Sequence, residues 1–461
     1  MRKSQHAAKN RNHITSQLRR LSGLGLLISL VLSIPLFSTE SSRTIGDNQS
    51  LDELIAYYID VGEIPSLAAA IVKHDRLVWA NGYGDQPAVD MIYAIGSVTK
   101  TITATAVLQL YERGLIGLED DVSDYLPFPL RNPNYPNTAI SFRMLLSHHS
   151  SLKGTHADYY QYCCWQDLLR AMGLSNQTYP SIAEWFRDHL YPNGSSNPAV
   201  WASYSPGTKF VYSNTGFGLL GYLIEIISNQ SLGQYFSEHI FEPLGMTTSG
   251  YNYSDFEEDK LAIPYDLGVT DGELIPLPHY QPWPLGCGGL RTSVLDLSRF
   301  LLVHMNKGIY NGTRILKEQT ITLMHEEIPG SSYGLGWAWK TLKSRSESVQ
   351  GHSGIEIGFT SHMYLVQGTY PAKSYGAIVL TNKVAPGVLY YLDLILEALL
   401  EEAKAYPIPE SSVTSNPLTS SAINASSSGS GGFAILVVVV SLGLMAFEAR
   451  FWKKSLGRKI A

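Results

Sequence analysis

The chain has 461 residues, 44% hydrophobic and 16% charged, which is enough apolar material for one large domain or two to three ordinary ones. Its net charge of −6 conceals two basic ends: residues 1–37 carry six Lys/Arg and no acid, and residues 433–461 carry five Lys/Arg and one acid, leaving 23 basic against 39 acidic residues between them. An acidic body of this kind excludes nucleic acid as a partner, because phosphate binding needs a basic face.

In chain order, a basic N-region (1–20) precedes an uncharged stretch, Leu21 to Thr39, that reads as a signal anchor or a signal peptide. A folded body follows over 47–405. Within it Leu51 to Val61 has the spacing of an amphipathic helix, and Leu67 to Lys73 with Arg76 to Gly82 reads as a hairpin turned at His74-Asp75. A helical stretch runs from Thr101 to Gly114. Helices and long loops punctuated by Pro and Gly fill Asp120 to Gly330. Strand-like runs return at Tyr333 to Trp339, Ser361 to Gln367 and Tyr375 to Thr381, and helical spacing resumes from Val388 to Leu400.

Strands at both ends of the body predict an α+β fold. One antiparallel sheet is assembled from the N- and C-terminal parts, flanked by the terminal helices and set beside a mostly helical subdomain. The cleft between sheet and subdomain is the expected place for chemistry.

Residues 406–432 are rich in Pro, Ser, Thr and Gly and read as a solvated stalk. A second apolar stretch begins at Phe433. It reads as a transmembrane segment over 433–452 if Glu448 and Arg450 lie in the interface, with a basic tail over 453–461. Positive charge beside both stretches places both termini in the cytoplasm and the body outside, at the cell membrane. Seven Asn-x-Ser/Thr sequons, from Asn48 to Asn424, fit an exported surface. Adjacent Cys163 and Cys164 with a lone Cys287 define no disulfide framework, and a single bridge to Cys287 is open either way.

Three short motifs carry chemistry. Ser97-Val98-Thr99-Lys100 opens the helix at Thr101, so the serine and the lysine lie one turn apart on one face, an amine within reach of a hydroxyl. Ser150 and Lys153 share the spacing without the context. Tyr212-Ser213-Asn214 precedes a helix from Gly216 to Ser228, and His352-Ser353-Gly354 leads toward a strand-like stretch. Gly216-x-Gly218-x-x-Gly221 imitates a dinucleotide fingerprint, but no strand precedes it, so close helix packing is the better reading. His148, His149 and His156 lack an acid or cysteine at ligand spacing, so neither a metal nor any other cofactor is expected. Glu257-Glu258-Asp259 reads as a solvated face. No Gly-x-Ser-x-Gly elbow occurs.

The three motifs stand in order with "IGSVTKTITATAVLQLYERGLIGLEDDVSDYLP", "ISFRMLLSHHSSL", "PGTKFVYSNTGFGLLGYLIE", "FEPLGM", "GGLRTSVLDLSRF", "YGLGW" and "GHSG". Over roughly Leu51 to Lys404 the chain resembles the penicillin-recognising serine hydrolases. The specific likeness is to the β-lactamase-related group of class C β-lactamases, DD-carboxypeptidases, D-aminopeptidases and related esterases. The resemblance implies a β-lactamase/transpeptidase-like fold with Ser97 as the acylated nucleophile, Lys100 as its proton acceptor and Tyr212 sharing the proton traffic. It implies that Asn214 donates to the substrate amide and helps fix Lys100. The third motif, His352 to Gly354, would lie on an edge strand that pairs with the substrate, and the backbone N–H groups of Ser97 and Ile355 would form the oxyanion hole. Two departures stand out. Many relatives have Lys where this chain has His352, whose charge near pH 7 is conditional, which puts carboxylate recognition in doubt. Ser151 replaces the usual Gly after the "HTS" motif. The implied substrate is a small molecule or peptide, a D-amino-acid peptide first, with an ester or a β-lactam as alternatives. A non-turnover peptide- or β-lactam-binding receptor is the alternative of another class.

Overall fold

The computed structural model describes residues 50–153, 166–173, 181–191, 200–267, 273–281, 286–342, 347–368, 373–385 and 387–407, all within the unit Arg43–Val413. The expected membrane segments (21–39 and 433–452), the basic ends, most of the stalk, His156, Cys163 and Cys164 lie outside the described residues. Among the described residues no helix is long and apolar enough to cross a membrane.

The elements that position the site are α1 (Leu51–Val61), β1 (Ser66–Lys73), β2 (Arg76–Gly84), α2 (Thr99–Glu112), α3 (Asn214–Ser228), α4 (Val294–Met305), β3 (Ala338–Thr341), β4 (Ser348–Glu356), β5 (Phe359–Val366), β6 (Tyr375–Thr381) and α5 (Val388–Ala405). Ser50 starts α1 with a capping box to Glu53. The uninterrupted apolar run of β1 is what a strand covered on both faces requires. It lies inside a six-stranded sheet of order β2-β1-β6-β5-β4-β3. Every neighbouring pair is antiparallel, and β1 joins the C-terminal strand β6 from Leu67↔Thr381 to Lys73↔Tyr375. The sheet is therefore built from both ends of the body, as its strand pattern predicts. The hairpin turn is where expected, with His74 in the left-handed region (φ 60°).

Alternation divides the sheet between two layers. Leu67, Ala69 and Ile71 pack with Leu54, Ile55 and Tyr58 of α1 and with Leu392, Ile395 and Leu396 of α5. Ala68, Ala70 and Val72 face Leu297, Phe300 and Leu301 of α4 and the core that continues into α2 and α3. Each fully buried Leu or Ile there contributes about 1.5–3 kcal/mol. Two lysines stitch the layers together: Lys73 Nζ donates to the carbonyls of Lys404 and Tyr406 at the C-terminal end of α5, and Lys383 Nζ to those of Gly62 and Glu63 past α1.

Two expectations need correction. The run from Tyr333 to Trp339 is not a strand; only Ala338–Thr341 is. Gly334 and Gly336 bend the preceding residues, and a Cβ on either would overlap neighbouring atoms, Met324 O and Ala104 Cβ respectively. Nor does the third motif lie on the outermost strand. It lies in β4, with β3 outside it, but β3 pairs only Ser348 to Gly351, and among the described residues no strand pairs His352 to Glu356 on that side. The edge is local, and it coincides with the motif.

Candidate active site

The apolar run before Ser97 forms a short strand, Tyr93–Ala94, paired with Arg291–Thr292. The chain then turns at Gly96, whose φ of +48° and proximity to β4 both demand glycine: a Cβ there would lie 2.6 Å from Ile355 O. Gly354 makes the reciprocal approach, since its Cβ would overlap Ile95 O. Two glycines facing each other thus let the serine-bearing turn lie directly on the open segment of β4. Ser361 Oγ, donating to Ile95 O at 2.8 Å, holds them there.

Ser97 is partly exposed on the single turn that runs into α2, between buried neighbours. Lys100, one turn on, is 0% exposed. Its Nζ donates to Ser97 Oγ at 2.9 Å and to Cys287 O at 2.7 Å, and among the described residues no carboxylate partners it. The rings of Tyr212 and Phe217 flank the amine at 5.0 and 5.8 Å from their centroids. Serine, lysine and tyrosine of the sequence motifs therefore converge, with Tyr212 meeting the amine through its ring.

Asn214 does not help fix Lys100; the carbonyl of Cys287 does. It reaches the amine because Gly286, the residue before Cys287, and Gly221 let the backbone there press against α2 and α3. A Cβ on Gly286 would lie 2.5 Å from Phe217 O and 2.9 Å from Thr103 Cγ2, and one on Gly221 would lie 2.7 Å from Gly286 N. The glycine pattern at 216–221 is a packing device, as its sequence context suggests. The Cys287 side chain is buried. Asn214 opens α3, which Ser213 caps by accepting from Gly216 N–H at 3.0 Å, and the Asn214 Oδ1 is buried without a partner.

His352 is 5% exposed and both ring nitrogens are occupied: Nδ1 lies 2.6 Å from Ser353 O and Nε2 lies 3.1 Å from Tyr333 Oη. Burial first, and then the Lys100 charge, pull its pKa down to about 3 against the upward pull of the Ser353 carbonyl. Its charge is therefore not conditional near pH 7; the ring is neutral. It presents no free nitrogen to a carboxylate. Ile355, by contrast, is 38% exposed on the open segment.

Two residues escaped the reading of the sequence. Tyr333 belongs to the "YGLGW" run and reaches His352 from a turn that looked like a strand. His148, read in the sequence only as lacking the partners of a metal site, accepts from Ser213 N–H at 3.0 Å through Nδ1 and lies 4.5 Å from the Tyr212 ring, so it orients the second motif from behind. Burial and then the charge of Lys100 hold its pKa well below 6.5. Its neighbour Ser151 takes φ +61°, which explains why glycine is usual there; its Oγ meets Asn132 Nδ2 at 3.0 Å. Ser150, of the pair with the same spacing, is buried at a bend, and Lys153 is exposed. Residues 257–259 are exposed, as expected of a solvated run.

A partly exposed hydroxyl, a buried amine bonded to it, and an unpaired strand segment alongside are the parts of a serine hydrolase of the Ser-x-x-Lys kind. The chain belongs to the Beta-lactamase family, whose profile matches residues 51–401, and so to a family of serine hydrolases with the β-lactamase/transpeptidase-like fold. It is 26% identical over 354 residues to protein flp of Staphylococcus aureus (strain MW2), matching 74% of this chain and 64% of that protein; it thus spans a little under two thirds of the relative's length. The octameric penicillin-binding protein homologue from Pyrococcus abyssi superposes with a TM-score of 0.62 at 28% identity, over 76% of this chain and 77% of that one. The D-amino acid amidase from Ochrobactrum anthropi SV3, complexed with L-phenylalanine amide, superposes with a TM-score of 0.58 at 20% identity, over 77% and 99%, a likeness of fold alone.

Proposed function

We propose that this chain is a membrane-tethered serine hydrolase, with its catalytic body outside the cytoplasm, that opens an amide or ester bond through an acyl-Ser97 intermediate. Its substrate class is a D-amino-acid peptide or amide. The observation that carries the reading is the 2.9 Å hydrogen bond from the buried Lys100 amine to Ser97 Oγ, with no acid among the described residues paired with that amine. In this scheme Ser97 Oγ attacks the substrate carbonyl while its proton passes to Lys100. The oxyanion is received by the backbone N–H groups of Ser97 and Ile355, each worth about 3 kcal/mol to the transition state. The proton then passes, with Tyr212 as relay, to the departing amine or alkoxide, and water releases the acyl group by the reverse route. The substrate chain lies along the open segment His352–Ile355, and Asn214 donates to its amide. The D-amino-acid preference draws support from the likeness to the D-amino acid amidase and to the penicillin-binding protein homologue. The tether draws support from the two apolar stretches with basic flanks.

The test is covalent labelling of the full chain with a fluorophosphonate and with a fluorescent penicillin, followed by hydrolysis of chromogenic esters, D-Ala peptides and a cephalosporin. Ser97→Ala should abolish labelling and turnover while the unfolding midpoint stays near that of the unsubstituted protein. Labelling that persists in Ser97→Ala would assign the nucleophile elsewhere. A label that never decays, with no product from any substrate, would replace the enzyme with a receptor that acylates once.

A further inference from the structure

Tyr333 is 3% exposed, and its hydroxyl meets one protein group, the Nε2 of His352, at 3.1 Å. The other nitrogen of that ring, Nδ1, lies 2.6 Å from the carbonyl oxygen of Ser353. A carbonyl only accepts, so the Nδ1 must carry a proton, and in the neutral ring Nε2 then holds a lone pair to which the Tyr333 hydroxyl donates. The two partners together leave one tautomer. The backbone of Tyr333 is held separately, its N–H by Ser331 Oγ at 3.2 Å and its carbonyl by Ile328 N–H at 2.9 Å, so the hydroxyl is not needed to place the ring. The turn is anchored from both sides, Leu335 N–H to Met324 O and Gly336 N–H to Leu146 O. The Tyr333 ring also packs at 4.7 Å from that of His148, which holds the Tyr212-Ser213 backbone.

We propose that Tyr333 is a positioning residue that locks His352 in its Nδ1–H tautomer, so that the imidazole pins the Ser353 carbonyl and sets the backbone of the open segment where substrate pairs. Ser353 and Ile355, two apart on β4, direct their backbone groups to the same side of the strand. Pinning the Ser353 carbonyl therefore orients the stretch that carries the Ile355 N–H. The sheet cannot do this alone, because the pairing of β3 with β4 ends at Gly351, one residue short of His352. The hydrogen bond from Tyr333 replaces the missing strand at one remove. Burial and the nearby Lys100 charge favour the same neutral ring.

The consequence for rate rests on the hydrolase reading above, but the tautomer does not, and the two can fail separately. The experiment is nitrogen NMR of the full chain labelled at histidine rings, with the His352 signals assigned by their loss in His352→Gln, beside fluorophosphonate labelling rates in a double-mutant cycle. The unsubstituted protein should show His352 protonated at Nδ1 and hydrogen-bonded at a bare Nε2 across pH 5 to 8. Tyr333→Phe should broaden or move that pair toward a tautomer mixture and slow labelling roughly tenfold, and in the His352→Gln background it should slow labelling less than twofold further. A His352 protonated at Nε2 in the unsubstituted protein would overturn the proposal whether or not Tyr333→Phe folds. So would an unchanged tautomer in Tyr333→Phe, or an equal rate loss in both backgrounds. If Ser97 does not label at all, the hydrolase reading fails and the NMR arm still decides the role of Tyr333.

Discussion

Gly286→Ala tests how the amine at the centre of the site is held. The added Cβ would lie 2.5 Å from Phe217 O, 2.9 Å from Thr103 Cγ2 and 3.0 Å from Gly221 N, where real Cβ atoms essentially never come within 3.0 Å. Two of these obstacles are backbone of α3, so the loop must retreat by at least about half an ångström, an overpacking that costs about 1–3 kcal/mol. Cys287 is the next residue, and its carbonyl is one of two acceptors of Lys100 Nζ among the described residues, at 2.7 Å. The same retreat takes that bond past about 3.2 Å, out of good geometry. A hydrogen bond to a charged group is worth about 1.5–3 kcal/mol. If the proton transfer depends on it, the rate constant for acylation falls on the order of 10- to 150-fold. Gly288→Ala is the control in the same loop, because its Cβ would meet only the Glu356 carboxylate at 3.2 Å as a close neighbour. The assay is the fluorophosphonate labelling rate beside urea unfolding of the same preparations. A folded Gly286→Ala that labels as fast as the unsubstituted protein would refute the claim that this loop positions Lys100.

Acidification should unfold the body through its buried imidazoles. His325 is held at about 4 by burial, against the upward pull of Gln350, and His304, bonded to it at 3.1 Å, lies well below 6.5 by burial and then by the charge of His325. Unfolded histidine titrates near 6.5, so the unfolded chain binds protons that the native one refuses. Stability is therefore full above about pH 7 and falls as pH drops from 6.5 toward 4, by about 3 kcal/mol from His325 alone. Urea unfolding at pH 7, 5.5 and 4.5 reads the slope, which should shrink in His325→Gln; a slope unchanged by that substitution would contradict the assignment. Asp393→Asn should cost about 2 kcal/mol at pH 7, discounted for partial exposure. Burial alone would raise the Asp393 carboxyl, but His362 and Lys340, both paired with it, outweigh burial and hold it well below its usual 3.8. That contribution is present above about pH 4 and is lost in stronger acid. A shift below about 0.5 kcal/mol in urea would mean that the cluster adds nothing to stability.

Much of the site could be read along the chain because its parts are local. Ser97 and Lys100 lie one turn apart at a helix start, and that spacing alone sets their distance once the helix forms. The hairpin at His74, the helices α1 and α5 and the strand β6 were equally legible, since each follows from periodicity and a turn. Tyr333 was not, because a run with alternating apolar residues looks like a strand, and only contact with Ala104 and Met324 bends it at its glycines. The partner of Lys100 was missed for the same kind of reason: Cys287 lies 187 residues away and offers its backbone, which leaves no trace in its side chain.

By itself the sequence determined the order of elements, the motif residues and the pairing of an N-terminal hairpin with C-terminal strands, because hydrophobic period and backbone propensity act over neighbouring residues. The tertiary structure alone decided that the pairing of β3 with β4 ends at Gly351, that His352 is buried and neutral, and that a distant carbonyl and a distant phenol hold the two motifs. Those outcomes depend on how closely separate segments approach, and the space between segments is not encoded at any single position.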